Sequence, residues 1–139
     1  MFNTRVMTMI ECSWDTETEA VILWHFSPGW TWQDFHASID RTWVLLRERA
    51  SSVPVDLIMV MDKAPAFPPG SPFAPIGRGM REISKQDGIV VAIIANQFQR
   101  TVLNVVRYGI AVVGTRLYGA SSLDDARKIV ARYRQVHVS

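Results

Sequence analysis

A chain of 139 residues that is 48% hydrophobic and 20% charged has apolar material for one ordinary core but not for two independent ones. It carries no low-complexity tract and no internal repeat, which excludes a disordered chain or a solenoid. The net charge of +2 hides a division: residues 1–75 hold five basic and nine acidic groups, residues 76–139 ten and four. Such a division either steers an acidic partner to one face or is the scatter of solvated helix surfaces. Cys12 is the single cysteine, so an intrachain disulfide and a cysteine-based zinc ribbon are excluded, and its apolar neighbours predict a buried, inert thiol. The opening MFNTRVMTMIECSWD lacks the apolar stretch of a signal peptide, and the strongest apolar run, Ile89 to Ala95, is too short to span a bilayer. The expectation is one cytoplasmic domain over 1–139 with no transmembrane segment.

Met7 to Trp14 reads as a first strand and Glu19 to Ser27 as a second, rich in the β-formers Val21, Ile22, Leu23, Trp24 and Phe26, with DTET as the turn of a hairpin. Pro28-Gly29 ends the second strand. Thr31 and Asp34 have capping-box spacing and open a helix over Trp32 to Ala50, whose inward face is Phe35, Ile39, Thr42/Trp43 and Leu46. After a loop at Ser51 to Pro54, Val55 to Met61 is apolar at almost every position beyond Asp56, the pattern of a central strand covered on both faces. Residues 63–75 contain five prolines, at 65, 68, 69, 72 and 75, which predicts an irregular loop, with a second helix over Ile76 to Gln86. GIVVAIIA, from Gly88, is another buried strand. Asn96 then caps a third helix running to Val113, with Arg100, Asn104 and Arg107 on a narrow polar stripe and Phe98, Val102, Leu103, Val105, Val106, Ile110 and Val113 on a wide apolar arc. Gly114 closes it, Thr115 to Ala120 is a last short strand, and Ser122 with Asp125 opens a final helix over Leu123 to Gln135. The order ββαβαβαβα predicts an α/β fold: a mixed, mainly parallel five-stranded sheet with about four helices.

That order, with the segments PGWTWQDF, VDLIMVMD, IVVAIIAN and SLDDAR, resembles the SpoIIAA-like fold, which includes the STAS domains and the lipid-binding Sec14 type. The likeness is closest to bacterial SpoIIAA-like proteins that carry a similar WTW-x-x-F segment. In STAS-family anti-sigma factor antagonists, a serine at the start of the helix after the third strand is phosphorylated by a partner kinase. Ser71 holds the comparable place, although Gly70, Pro72 and Phe73 stand where that family has an acidic residue before the serine and small residues after it. The resemblance implies a regulatory, protein-binding module, with Lys63, Phe67, Ser71 and Phe73 as the candidate partner loop and Ser71 as the candidate phospho-acceptor.

Enzymatic constellations are missing from the pattern. His25, His36 and His137 have no local metal-ligand spacing, GSP at 70–72 is no nucleophile elbow, and Gly77 and Gly79 lack the remainder of a phosphate-binding fingerprint. No metal, cofactor or enzymatic activity is expected. Trp24, Trp30 and Trp32, with Met59 and Met61, either line an apolar ligand pocket or pack as core and rim. Arg78, Arg81 and Lys85 share one helix face and Arg127, Lys128, Arg132 and Arg134 crowd the last helix, yet no aromatic-basic motif accompanies them, so nucleic-acid binding is not expected. The apolar arc at about 97–113 is covered by flanking helices or by a second copy, as in a homodimer. The expected function is a non-enzymatic regulatory or protein-interaction module, with a binder of a lipid or other apolar small molecule as the alternative.

Overall fold

The computed structural model describes residues 8–49, 54–83, 88–109 and 116–137. Nine elements follow one another: β1 (Ile10–Trp14), β2 (Val21–Phe26), α1 (Trp32–Glu48), β3 (Asp56–Val60), α2 (Phe73–Ile83), β4 (Val90–Ile93), α3 (Gln97–Gly109), β5 (Leu117–Ala120) and α4 (Leu123–His137). The fold is α/β in the order ββαβαβαβα, and the five strands lie in sequence order across one sheet. β1 and β2 form the antiparallel hairpin, with Trp14 opposite Ile22, and β2 through β5 are parallel.

Each crossover from β2 onward advances one strand in the same direction, so a common right hand places α1, α2 and α3 on the same face. Side-chain alternation shows the consequence. Ile22, Trp24, Leu57, Met59, Val90, Ala92 and Leu117 face Phe35, Ile39, Met80, Val102 and Val106 of the three helices. Val21, Leu23, Ile58, Val91, Ile93 and Ala120 face Ala126 and Val130 of α4, which covers the other side. α4 is also anchored by charge. Arg127 meets Asp15 at 2.9 Å and Glu17 at 2.7 Å, and Arg134 meets Asp56 at 2.8 Å while donating to the carbonyls of Glu19 and Ala20.

The capping box at Thr31 forms in both directions, with Thr31 Oγ1 accepting from the Asp34 N–H at 3.1 Å and Asp34 Oδ2 from the Thr31 N–H at 2.9 Å; at the second, Ser122 Oγ accepts from the Asp125 N–H at 3.0 Å, but the Asp125 carboxylate reaches the Ser121 N–H, one residue earlier, so only half of the expected box forms. The ends of β3, β4 and α4 shift from expectation by one or two residues, and two further boundaries differ for a local reason. α2 starts at Phe73 rather than Ile76, because Pro75 falls in the first turn, where its missing N–H would have no intrahelical acceptor, and the Ile76 N–H already reaches Pro72 O at 3.1 Å. β2 starts at Val21 rather than Glu19, because Ala20 takes the left-handed conformation, φ 58°, and turns the chain there. The ends expected at Met7, Ala50, Gln86 and Val113, with the Gly114 stop and Thr115, lie outside the described residues. No described helix is long and apolar enough to cross a membrane.

Candidate functional site

The carboxyl ends of parallel strands are where successive βα connections converge, so loops from several strands share this edge of the sheet. Three connections meet at this edge: 27–31 after β2, 61–72 after β3 and 94–96 after β4. In the first, Gly29 (φ 89°) turns the chain so that Trp30 enters the core, 3% exposed, just before the α1 cap. The second is strapped down by α3. Asn96 Oδ1 accepts from the Gln99 N–H at 2.8 Å, which starts α3 and directs the Gln99 side chain inward. There Gln99 Oε1 accepts from the Ala95 N–H at 2.7 Å, while Nε2 donates to Met61 O and Ala64 O at 3.4 Å each. Asn96 Nδ2 adds a contact to Pro65 O at 3.4 Å. With residues 61–65 held, Phe67 folds back over the edge and its ring meets Trp30 at 5.7 Å, Phe98 at 5.5 Å and, stacked, Trp32 at 6.1 Å.

Beneath this aromatic cover lies a cavity of about 50 Å³. Its floor is Met59, Ala92 and Leu117 of the sheet, its walls are Phe35, Ile76, Met80, Val102, Leu103 and Val106, and its roof is Trp30, Met61, Phe67 and Gln99. At about 10–15 Å³ per water, it has room for roughly four water-sized groups. Two of its lining residues carry polar side-chain groups, the Gln99 carboxamide, bonded at both ends, and the Trp30 indole N–H, which is buried. Such a cavity favours an apolar guest over water, and three unbranched methionines let its walls adapt.

Of the five residues expected to form an apolar pocket, the fold brings together Trp30, Met59 and Met61. Trp24 lies deeper, wholly buried, with Nε1 donating to Thr42 Oγ1 at 2.8 Å; it is a satisfied core residue. Trp32 is half-buried and packs against the outer side of Phe67. Within the expected partner loop, Phe67 covers the cavity, Lys63 and Ser71 are exposed, and Phe73, 43% exposed, is the first residue of α2. Sequence reasoning passed over Gln99, Phe35, Ala92 and Met80. Gln99 alone carried a signal, since Asn96 and Gln99 repeat the spacing of a capping box.

The apolar arc of α3 divides in two. Val102, Leu103 and Val106 pack inward, while Phe98, Val105 and Tyr108 are 56%, 46% and 82% exposed. Val105 and Phe73 border a groove of about 330 Å³ between α2 and α3. Elsewhere the titratable groups are dispersed. His25 is exposed opposite Glu11, His36 sits edge-on to Phe35 at 5.6 Å, and no group of three or more His, Cys, Asp or Glu that could hold a metal occurs among the described residues. Cys12 is half-buried, and burial pushes its thiol above the ordinary value. Of the four basic residues on α4, Arg127 and Arg134 are bound into the ion pairs with Asp15 and Asp56. In comparisons with protein-family models, curated proteins and solved structures, nothing matches this chain.

Proposed function

We propose that this domain is a non-enzymatic binding module that takes a small apolar group into the cavity beneath Phe67. The observation that carries the reading is the placement of that cavity: an adaptable apolar space at the carboxyl edge of the parallel strands, covered by an aromatic side chain on a strapped loop. Only three to five water-sized groups fit, so a full acyl chain is too long, and the alternative of a lipid binder narrows to short guests. Filling the cavity from its floor tests the proposal. Ala92→Leu should abolish the thermal stabilisation that a small neutral hydrocarbon gives the wild type, while the variant keeps the wild-type melting temperature or exceeds it. Undiminished stabilisation in a folded Ala92→Leu variant would place the guest elsewhere and end this reading.

A second reading, a regulatory module that binds protein, draws on the exposed Phe98, Val105 and Tyr108 beside the α2–α3 groove. It retains the resemblance to anti-sigma factor antagonists and Ser71 as an exposed phospho-acceptor ahead of α2. In its simplest form the partner is a second copy. Light scattering at micromolar concentration should then give twice the chain mass, reverting to one on Val105→Asp; a monomeric wild type excludes the homodimer.

A further inference from the structure

Large apolar side chains stand exposed at seven places among the described residues, and four of them, Phe73, Phe98, Val105 and Tyr108, lie on α2 and α3. Single exposed groups are ordinary on a monomer, whereas a cluster marks a surface that a partner covers. Between the two helices runs the groove of about 330 Å³, with the buried Gly77 and Val106 at its floor, Phe73 and Val105 on its banks and Arg81 as its charged lining residue. A Cβ built on Gly109 would meet nothing within 4 Å, so the groove is open at that end. α2 has 11 residues, a length of about 16 Å, along which about three turns of a partner helix can lie.

The charge around the groove has one predominant sign. From residue 63 to residue 123 the chain carries seven basic and two acidic residues; α3 has no carboxylate, and α2 has Glu82 alone. Arg78 and Arg81, one turn apart, are both exposed on α2. A second copy laid groove to groove would set arginine against arginine, which disfavours it as the occupant. A flat lipid surface fits poorly as well. With Gln99, Val102, Leu103 and Val106 turned inward, the outermost positions of α3 are Gln97, Thr101 and Asn104 beside Tyr108, so amides and a hydroxyl would lead into a bilayer. Phe98 and Val105 lie instead on the flank toward α2. We infer that the α2–α3 groove docks an acidic amphipathic helix of another protein, whose apolar stripe enters between Phe73 and Val105 and whose carboxylates meet Arg78 and Arg81. This rests on the second reading, a protein-binding module, and adds the chemistry of the partner it selects.

The probe is a fluorescein-labelled amphipathic helical peptide with leucine on one face and glutamate on the other, compared on the full chain with its lysine counterpart and with a scrambled peptide of the same composition. By fluorescence anisotropy the glutamate peptide should bind about tenfold tighter than either. Val105→Asn, which sets an amide in the apolar groove, should weaken it about tenfold. The double variant Arg78→Glu/Arg81→Glu should reverse the preference, weakening the glutamate peptide and strengthening the lysine peptide, a gain that a misfolded chain cannot produce. A scrambled peptide that binds as well would reduce the contact to charge alone and overturn the inference. If the glutamate and lysine peptides bind alike and both are lost on Val105→Asn, the partner's charge is wrong while the protein-binding reading stands. If neither binds and light scattering shows a dimer that Val105→Asp dissociates, the groove takes a second copy and the inference fails; if neither binds and the chain is monomeric, the reading fails with it. Sedimentation with vesicles of phosphatidylcholine and phosphatidylserine, abolished by Val105→Asn, would assign the face to lipid and overturn the inference.

Discussion

Asp15 and Asp56 both place a carboxylate against an arginine of α4, with side chains 1% and 3% exposed, yet their affinities for protons move in opposite directions. At Asp15 burial disfavours the charge, but hydrogen bonds from Arg127 and the Glu17 N–H, with the Arg127 charge, outweigh it and hold the carboxyl below its ordinary value. At Asp56 burial prevails over the Ile89 N–H and Arg134 and pushes the carboxyl up. The signs follow by linkage. A depressed folded value means that Asp15 contributes stability above the unfolded carboxylate value, about 3.9, and that this is lost as pH falls through the folded value. A raised value means that Asp56 contributes most below about 3.9 and subtracts as pH rises through its folded value. Urea unfolding across pH should therefore show that Asp15→Asn flattens the acid limb, whereas Asp56→Asn removes a decline on the rising side. Equal effects of the two variants on the slope would contradict the assigned environments.

At the scale of elements, the patterns that proved legible were those enforced by backbone chemistry. The capping box at Thr31, the caps at Ser122 and Asn96 and the continuous apolar strands located every helix start except that of α2. There, a run of five prolines has the pattern of a helix breaker, although Pro75 occupies the one kind of helical site that tolerates it. Ala20 escaped because a left-handed alanine has no sequence signature. The cavity was half legible. Trp30, Met59 and Met61 could be named from residue type, but Ala92 and Gln99 join them only through three-dimensional packing, and Trp24 is spatially near yet sealed off by its own hydrogen bond.

Close approaches between elements were equally invisible in the sequence. A Cβ on Gly79 would lie 2.4 Å from the Phe35 ring, and one on Gly88 would lie 1.8 Å from the backbone carbonyl oxygen of Val55. A ring on a side chain can yield, whereas the Val55 carbonyl belongs to the segment entering β3. Gly79→Ala should cost about 1–2 kcal/mol in chemical denaturation and Gly88→Ala about 3 kcal/mol or more. The reverse order would mean that the α1–α2 contact is the stiffer of the two.

Over the whole molecule, the two edges of the sheet do different work. The amino-terminal edge of the parallel strands is polar and fixed, with Arg127 and Arg134, seven residues apart on one flank of α4, tying that helix to Asp15, to Asp56 and to the carbonyls of Glu19 and Ala20. The carboxyl edge is apolar and adaptable, with methionines lining a cavity beneath a loop held by long hydrogen bonds. Stability and binding should therefore separate on mutation. Arg134→Ala strands the buried Asp56 carboxylate and should cost about 3 kcal/mol, while leaving hydrocarbon affinity at the wild-type value at a temperature where the variant is folded. Ala92→Leu should do the opposite, removing binding without loss of stability. The Glu17 arm of the Arg127 pair is 67% exposed and belongs to neither set, so Glu17→Ala should change stability by less than about 1 kcal/mol. Were Arg134→Ala to weaken the guest as much as it weakens the fold, the two edges would form one coupled unit, and the cavity's affinity would depend on how tightly α4 is clamped to the opposite face.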